Sequence, residues 1–462
     1  MLRITDGRLL RMCRALFRRQ STRASQAATI TPRIAASLLV ATLVTSCVGS
    51  SSTGEGGGDA NQPVTLRFSM WSNNEAHVAM LEGFAREFRK SHPNVSIEFV
   101  PVISSDYLQK ISTALAGGRP FDAGWLGEGD VSQFVSAGVL ADLAPTLSRT
   151  KGYELNDFIG KSMQSWRRGD KIYGVPFSTS PFLVYYNKDL FAQAGVATPE
   201  ELTARGEWTW ENFRAIARTI REKAGPSVYG FQGHDGALYD NVTSFWNTVV
   251  PAIRAYGGSI WDPSTGSCDL ADQATVDAID LFRQMVAVDK SMVPPGEQAD
   301  FFAGQVGMTI NQLSRTSLLE EATFEWGIAP LPSGPAGPTS FYGQAGVVVF
   351  NASPHPDIAA EFVAFMTNRQ NVETMAEFFP PARQSVLDSP AFRSSNAAVG
   401  EAGMELVADQ VRQGESFPFP ANFADVNLAL KPELDKLWSA DADVAAILRQ
   451  GCEAVESLLT TS

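Results

Sequence analysis

From residue 64 onward, short apolar runs take turns with amphipathic stretches. Val64-Thr65-Leu66-Arg67-Phe68-Ser69-Met70 alternates with the period of two that a strand imposes, and Trp71–Glu75 is a polar loop. Met80, Leu81, Phe84, Ala85 and Phe88 then recur at helical spacing, and His92-Pro93-Asn94 turns the chain into a second strand, 95–100. A strand–helix–strand unit of this kind implies parallel pairing with a right-handed crossover. A second helix over 106–116 stops at Gly117-Gly118, and 123–126 reads as a short buried strand. Gly127-Glu128-Gly129-Asp130 reads as a loop before a helix through Phe134.

The alternation pauses at Asp170–Leu190. Gly174 and Pro176 exclude a helix there, and the β-rich run Phe182-Leu183-Val184-Tyr185-Tyr186 ends at the turn formers Asn187 and Asp189. A second region of similar kind follows, so Phe177–Pro181 is expected to be a hinge strand at the bottom of a cleft. In that region 208–221, 239–256 and 272–289 have helical spacing, while 229–231 and 306–310 read as strands. The Pro/Gly-rich stretch 330–338 suits a second crossing, and 346–350 a return. Alternation sends Tyr185 and Tyr186 to opposite faces, a structural arrangement rather than a paired metal site.

The N-terminus follows a different pattern. Eight arginines and one acid lie within Arg3–Arg33, then an 11-residue apolar run from Ile34 to Val44, then Thr45-Ser46-Cys47. That is the order of a secretory signal, and the run falls short of the roughly 20 residues a spanning helix needs. Arg18-Arg19 could belong to a twin-arginine signal, although its surroundings fit poorly. Val44-Thr45-Ser46-Cys47 resembles a bacterial lipobox with Cys47 as the lipidated residue, and residues 47–62 are Gly/Ser-rich, as a flexible tether would be.

Composition narrows the partners. The whole chain carries −13, and without residues 1–46 the remaining 416 residues carry −20, because the leader holds eight arginines against one aspartate. Such acidity argues against nucleic acid or an anionic lipid surface. With 44% hydrophobic and 10% aromatic residues the chain can build two cored lobes. Cys268 and Cys452 could pair in an oxidising compartment or remain two separate thiols. The four histidines lack metal spacing, and neither a Gly-x-Ser-x-Gly elbow nor a phosphate-cradling loop is present, so no cofactor, metal or catalytic residue is expected. Any two of the many acids could still approach as a glycosidase pair, which leaves a lipid-anchored glycoside hydrolase as a lesser alternative.

Several motifs occur in order along the chain: Trp71, Gly118-Arg119-Pro120-Phe121-Asp122, Tyr173-Gly174-Val175-Pro176, Tyr186-Asn187-Lys188-Asp189-Leu190-Phe191, Trp208-Thr209-Trp210-Glu211-Asn212-Phe213, Gly307-Met308-Thr309-Ile310-Asn311 and Gly327-Ile328-Ala329-Pro330-Leu331-Pro332. Together with the lipobox they resemble the extracellular solute-binding proteins of carbohydrate ABC importers, the maltose-binding-like family. The resemblance implies an α/β, two-lobe periplasmic-binding-protein-like fold of type II. Each lobe would be a mixed, mostly parallel sheet flanked by helices, with the ligand cleft between lobes. It implies lobe segments 63–178 with 333–390, and 179–332 with 391–462. It also implies a monomer, a carbohydrate ligand, permease partners, and a place on the outer face of the cell membrane through the lipid anchor.

A sugar site needs hydrogen-bonding side chains for hydroxyls and aromatic faces for the C–H side of the ring. Loops after strands supply both, in Trp71, Asn73, Glu75, Trp125, Glu128, Trp246, Asn311, Arg315, Tyr342 and Arg383, and the family resemblance adds Thr179 and Ser180 at the hinge. Where several relatives carry Met-Thr-Ile-Asn-Gly-x-Trp, this chain has Gln312-Leu313-Ser314 after Asn311, which weighs against a stacked maltose-type oligosaccharide. A glycerophosphodiester or polyol is the alternative solute, but a phosphate would need cationic or N–H donors that the candidate loops offer sparsely.

Overall fold

The computed structural model describes residues 62–103, 106–240, 242–262, 265–417, 420 and 422–459. The expected signal at 1–46, the lipidation site Cys47 and nearly all of the tether 47–62 lie outside them. Among the described residues no helix is long and apolar enough to cross a membrane.

The first three strands are β1 (Val64–Met70), β2 (Val95–Pro101) and β3 (Ala123–Gly127), with helices α1 (Glu75–Phe88) and α2 (Tyr107–Ala116) between them and α3 (Glu128–Ser136) following. Strand β1 pairs parallel with both β2 and β3. A small hairpin, β4 (Arg167–Arg168) with β5 (Lys171–Ile172), precedes β6 (Val175–Pro181). Phe182 alone separates β6 from β7 (Leu183–Asn187), yet the two strands lie in different sheets. Next come β8 (Tyr229–Gln232), the hairpin β9 (Trp261–Asp262) with β10 (Ser267–Cys268), then β11 (Val306–Asn311), β12 (Trp326–Ala329) and β13 (Tyr342–Val349).

The first sheet runs β2-β1-β3-β13-β6 and the second β12-β7-β11-β8. Both are mixed. Antiparallel pairing enters with the strands that flank the crossings: β13 against β3 and β6, and β7 against β11 and β12. That share is larger than the strand–helix–strand pattern alone suggests, because strands that cross between lobes join from the opposite direction.

Each sheet has its own core. Phe68, Trp125, Trp166, Phe177 and Val347 pack in the first. In the second, Tyr186, Trp210, Phe231 and Trp246 share one face, while Tyr185, Phe301 and Leu313 share the other. Tyr185 and Tyr186 therefore do face opposite ways; their hydroxyls donate to Gln312 O and to the Glu200 carboxylate. Among the described residues the main crossings between cores are three: at Phe182, within β13 between Phe341 and Val347, and where Val386 gives way to Leu387. Leu331 and Phe341 both belong to the second core, so the Pro/Gly-rich stretch 330–338 does not itself make the crossing expected of it.

Cys268 and Cys452 form a disulfide, joining β10 to the helix Val444–Leu459 across 184 residues of sequence. Several local expectations need revision. Residues 127–130 are not a loop, because α3 already begins at Glu128. The helix expected over 239–256 is Val242–Ala255, preceded by a 3-10 turn at His234–Gly236. The helix over 272–289 is Gln273–Arg283 followed by a π turn, Gln284–Val288.

Candidate functional site

A cavity of about 400 Å³ opens between the two sheets. The first sheet contributes Trp71 after β1, Trp125 of β3, Glu128 at the start of α3, Phe177 and Ser180 of β6, and Gln344 of β13. The other side contributes Asn247 from the helix Val242–Ala255, Gln312 after β11, and Phe423 and Asn427 from the helix Phe423–Leu434. Another hollow, about 480 Å³ around Arg214, belongs to the second lobe alone, and its guanidinium is already paired with Asp289.

The aromatic wall is continuous. Trp71 meets Trp125 edge to face with ring centroids 5.2 Å apart, and Phe177 lies 4.9 Å from Trp125. On the far side Phe182 stacks on Phe417 at 5.8 Å. Such a surface presents both faces and edges to an apolar ring side.

The polar groups are held from behind. Gln344 is tied on both ends of its side chain, donating to Thr179 Oγ1 at 3.0 Å and accepting from Trp166 Nε1 at 3.2 Å. Its backbone N–H donates to Glu128 Oε1 at 3.1 Å. Trp246 Nε1 donates to Asn427 Oδ1 at 2.9 Å, which fixes that amide and leaves Nδ2 as its donor. His234 Nε2 lies 3.4 Å from Gln312 Oε1, steadying Gln312 at the rim. The Ser180 hydroxyl accepts from Leu313 N at 3.1 Å, linking β6 to the opposite lobe.

Two buried polar atoms on this wall have no hydrogen-bond partner: Trp125 Nε1 and Glu128 Oε2. An unsatisfied buried donor and an unsatisfied buried acceptor on residues lining one cavity are costly, so the site is suited to a ligand that brings hydroxyls. Burial pushes the Glu128 carboxyl up to about 8, against weaker downward pulls from Gln344 N–H and the Ser416 hydroxyl. Burial likewise lifts Asp130 to about 6. Tyr342 is raised to about 12 by burial, with the charges of Glu128 and Glu415 adding to it.

The structure brings together Trp71, Trp125, Glu128 and Ser180 of the candidates named from sequence. Thr179 is fully buried one layer back, behind Gln344. Trp246 is also behind the wall, in the core, orienting Asn427. Tyr342 is buried on β13 next to the lining residue Gly343. Asn311 is buried with Nδ2 donating to Thr309 Oγ1.

Besides Thr179, Trp246, Tyr342 and Asn311, four further candidates stand outside the cavity lining. Asn73 and Glu75 are exposed, because Asn74 caps α1 by accepting from Ala76 N and His77 N and Glu75 begins that helix facing solvent. Arg315 is paired with Asp235. Arg383 is 1% exposed, packs over Phe158 and Tyr153, bonds Thr367 O and Tyr153 O, and pairs with Asp157.

The sequence reading missed Phe177, Phe379, Asn247, Gln344 and Asn427, which line the cavity. Only Asn247 had an available signal: on a helix it is rotated about 100° from Trp246, so one faces the core and the other the cleft.

The family described as bacterial extracellular solute-binding protein matches this chain over residues 72–373. The chain belongs to that family. Similar proteins include an uncharacterized lipoprotein from the region 5' of oleD in Streptomyces antibioticus, 25% identical over 353 residues, covering 73% of this chain and 75% of its own. The maltodextrin-binding protein MdxE of Bacillus subtilis (strain 168) is 21% identical over 402 residues, covering 84% and 86%. Among solved structures, UgpB from Mycobacterium tuberculosis in complex with glycerophosphocholine superposes with a TM-score of 0.74 at 21% identity, covering 88% of this chain and 99% of that one. This solute-binding protein thus shares the two-lobe fold of UgpB, and the cavity just described lies between its sheets.

Proposed function

We propose that this solute-binding protein captures a sugar or oligosaccharide between its lobes and delivers it to the membrane permease of an ABC importer. The observation that carries this reading is the pairing, on one aromatic wall, of an unsatisfied indole N–H and an unsatisfied carboxylate oxygen, Trp125 Nε1 and Glu128 Oε2. A ring with hydroxyls on its edge and C–H groups on its face matches both. The name of MdxE points the same way. The chain catalyses nothing in this reading: it binds and releases.

Residues 63–178 with 333–390 and residues 179–332 with 391–462 act as two bodies. They close about the three crossings, because only the closed state lets both lobes touch the ligand. Trp71, Trp125, Glu128 and Ser180 contact it from one lobe and Asn247, Gln312 and Asn427 from the other. Cys47 carries the lipid that holds the protein at the outer face of the membrane, a reading supported by the lipobox and by the lipoprotein relative.

A thermal-shift screen against mono- and oligosaccharides, polyols and glycerophosphocholine tests the ligand class, since a tight ligand raises stability by RT ln(1 + [L]/Kd). At 100 times Kd the gain is about 2.7 kcal/mol. A shift with carbohydrate supports the reading; a shift with glycerophosphocholine alone replaces it with phosphodiester capture. A cleft lined by no Lys or Arg among the described residues is poorly suited to that second ligand.

A further inference from the structure

Building on the carbohydrate reading, the charge of the cleft narrows the ligand further. Glu128 and Asp130 line the cavity, and no described lining residue is Lys or Arg. The undescribed positions inside 62–459 are Ser, Asn, Pro, Phe and Ala by sequence, so none of them supplies a cation either. Of the two arginines named from sequence, Arg315 is engaged by Asp235 and Arg383 by Asp157.

Glu128 is 7% exposed. Its Oε1 is held by Gln344 N–H, the Ser416 hydroxyl also pulls on the carboxyl, and Oε2 makes no hydrogen bond of normal geometry. In the empty cleft burial keeps a proton on Glu128 up to about pH 8 and on Asp130 up to about pH 6, and a positive charge arriving there favours the ionised form. The adjoining wall of Trp71, Trp125 and Phe177 adds ring faces that attract cations. A neutral sugar can meet Oε2 with a hydroxyl while the carboxyl stays protonated, and so gains nothing from its ionisation. A quaternary ammonium would compensate the charge but has no N–H to give Oε2. A protonated primary or secondary amine on a hydroxylated ring does both.

We infer that the cleft selects a protonated amino sugar or aminocyclitol over its neutral counterpart, seating the ammonium at Glu128 Oε2 and a ring face against Trp71 and Trp125. Asp130 adds to the attraction without touching the amine.

Calorimetric titration of the purified protein with matched ligands tests this: glucose, glucosamine and N-acetylglucosamine, the same three forms of galactose and mannose, and cellotriose, chitotriose and N-acetylchitotriose. The expected result is at least one set in which the free amine binds about tenfold or more tighter than both the hydroxyl and the N-acetyl form. In Glu128→Gln most of that ratio disappears, and Asp130→Asn lowers it partially. The inference is overturned if no free amine outbinds its neutral partners, or if glycerophosphocholine outbinds every amine. It is also overturned if the amine advantage survives in folded Glu128→Gln. Because the wild-type ratios decide the matter alone, a variant that fails to fold leaves no gap. Neutral sugars binding while amines do not would remove this inference and keep the proposed function; no carbohydrate of either kind binding would remove both.

Discussion

Glu128 begins α3, where free backbone N–H groups favour an ionised carboxylate, and burial overrides them. The folded protein therefore holds a proton between the ordinary carboxylate value, 4.5, and about 8, where the unfolded chain has lost it. Folded binds more protons than unfolded in that window, so this group's contribution to stability falls as pH rises through it. Glu128→Gln is expected to unfold at higher denaturant than wild type at pH 8.5, by on the order of 2–4 kcal/mol, with the difference vanishing toward pH 4. Urea unfolding across pH measures it, and a gap that does not change with pH would be inconsistent with the buried carboxyl. Arg383 shows the opposite fate of a charge. Its residue type suits a contact with ligand, yet its guanidinium donates to three carbonyls and Asp157 and lies over two rings inside the first core. Nothing in the local sequence Pro381-Ala382-Arg383-Gln384 distinguishes those outcomes, because burial of a side chain is decided by distant segments.

At the scale of elements, the loops after strands were legible but their chemistry was not. The Trp71–Glu75 segment is largely a device for starting α1: Asn74 accepts two helix N–H bonds and the Ser72 hydroxyl meets His77 Nδ1 at 2.8 Å. Only Trp71 of that loop reaches the cavity. Strand β13 was read as a return to the first lobe, but its role in shaping the cleft comes from close approaches that periodicity cannot show. A Cβ at Gly346 would lie closer than 3 Å to the Trp166 ring, and so would one at Gly174. Trp166 is fully buried and holds Gln344, so these glycines allow the ring to sit flat beneath the cleft floor. Gly346→Ala is expected to cost about 1–3 kcal/mol by overpacking and to weaken ligand binding through displaced Gln344. Chemical denaturation and titration of the same variant check both. Normal stability with normal affinity would mean that the ring has room to move.

For the whole molecule, two cores joined by three crossings are held, among the described residues, by one covalent link within the second lobe. The Cys268–Cys452 disulfide closes a loop of 184 residues and pins the last helix to the hairpin β9–β10. Replacing both cysteines with serine is expected to cost about 2–5 kcal/mol, chiefly by freeing the unfolded chain. Unfolding with and without reductant measures this; equal midpoints for wild type in both conditions would count against a structural disulfide. Since the link does not span the cleft, ligand affinity in the folded double variant should stay near wild type.

The sequence by itself determined what depends on neighbours along the chain: the alternating strands, the helical faces, the breaks at Gly174 and Pro176, and an ordered series of motifs that identifies the family. It named Trp71, Trp125 and Glu128 because these follow or end strands, where an α/β sheet leaves room for a ligand, and Ser180 through the family resemblance at the hinge. Tertiary structure alone decided which polar groups are spent inside the fold and which remain unsatisfied. Thr179, Trp246 and Arg383 found partners that lie between 16 and 230 residues away, while Glu128 Oε2 and Trp125 Nε1 found none. Hydrogen-bond satisfaction is a property of three-dimensional packing, and no local pattern of residue types encodes it.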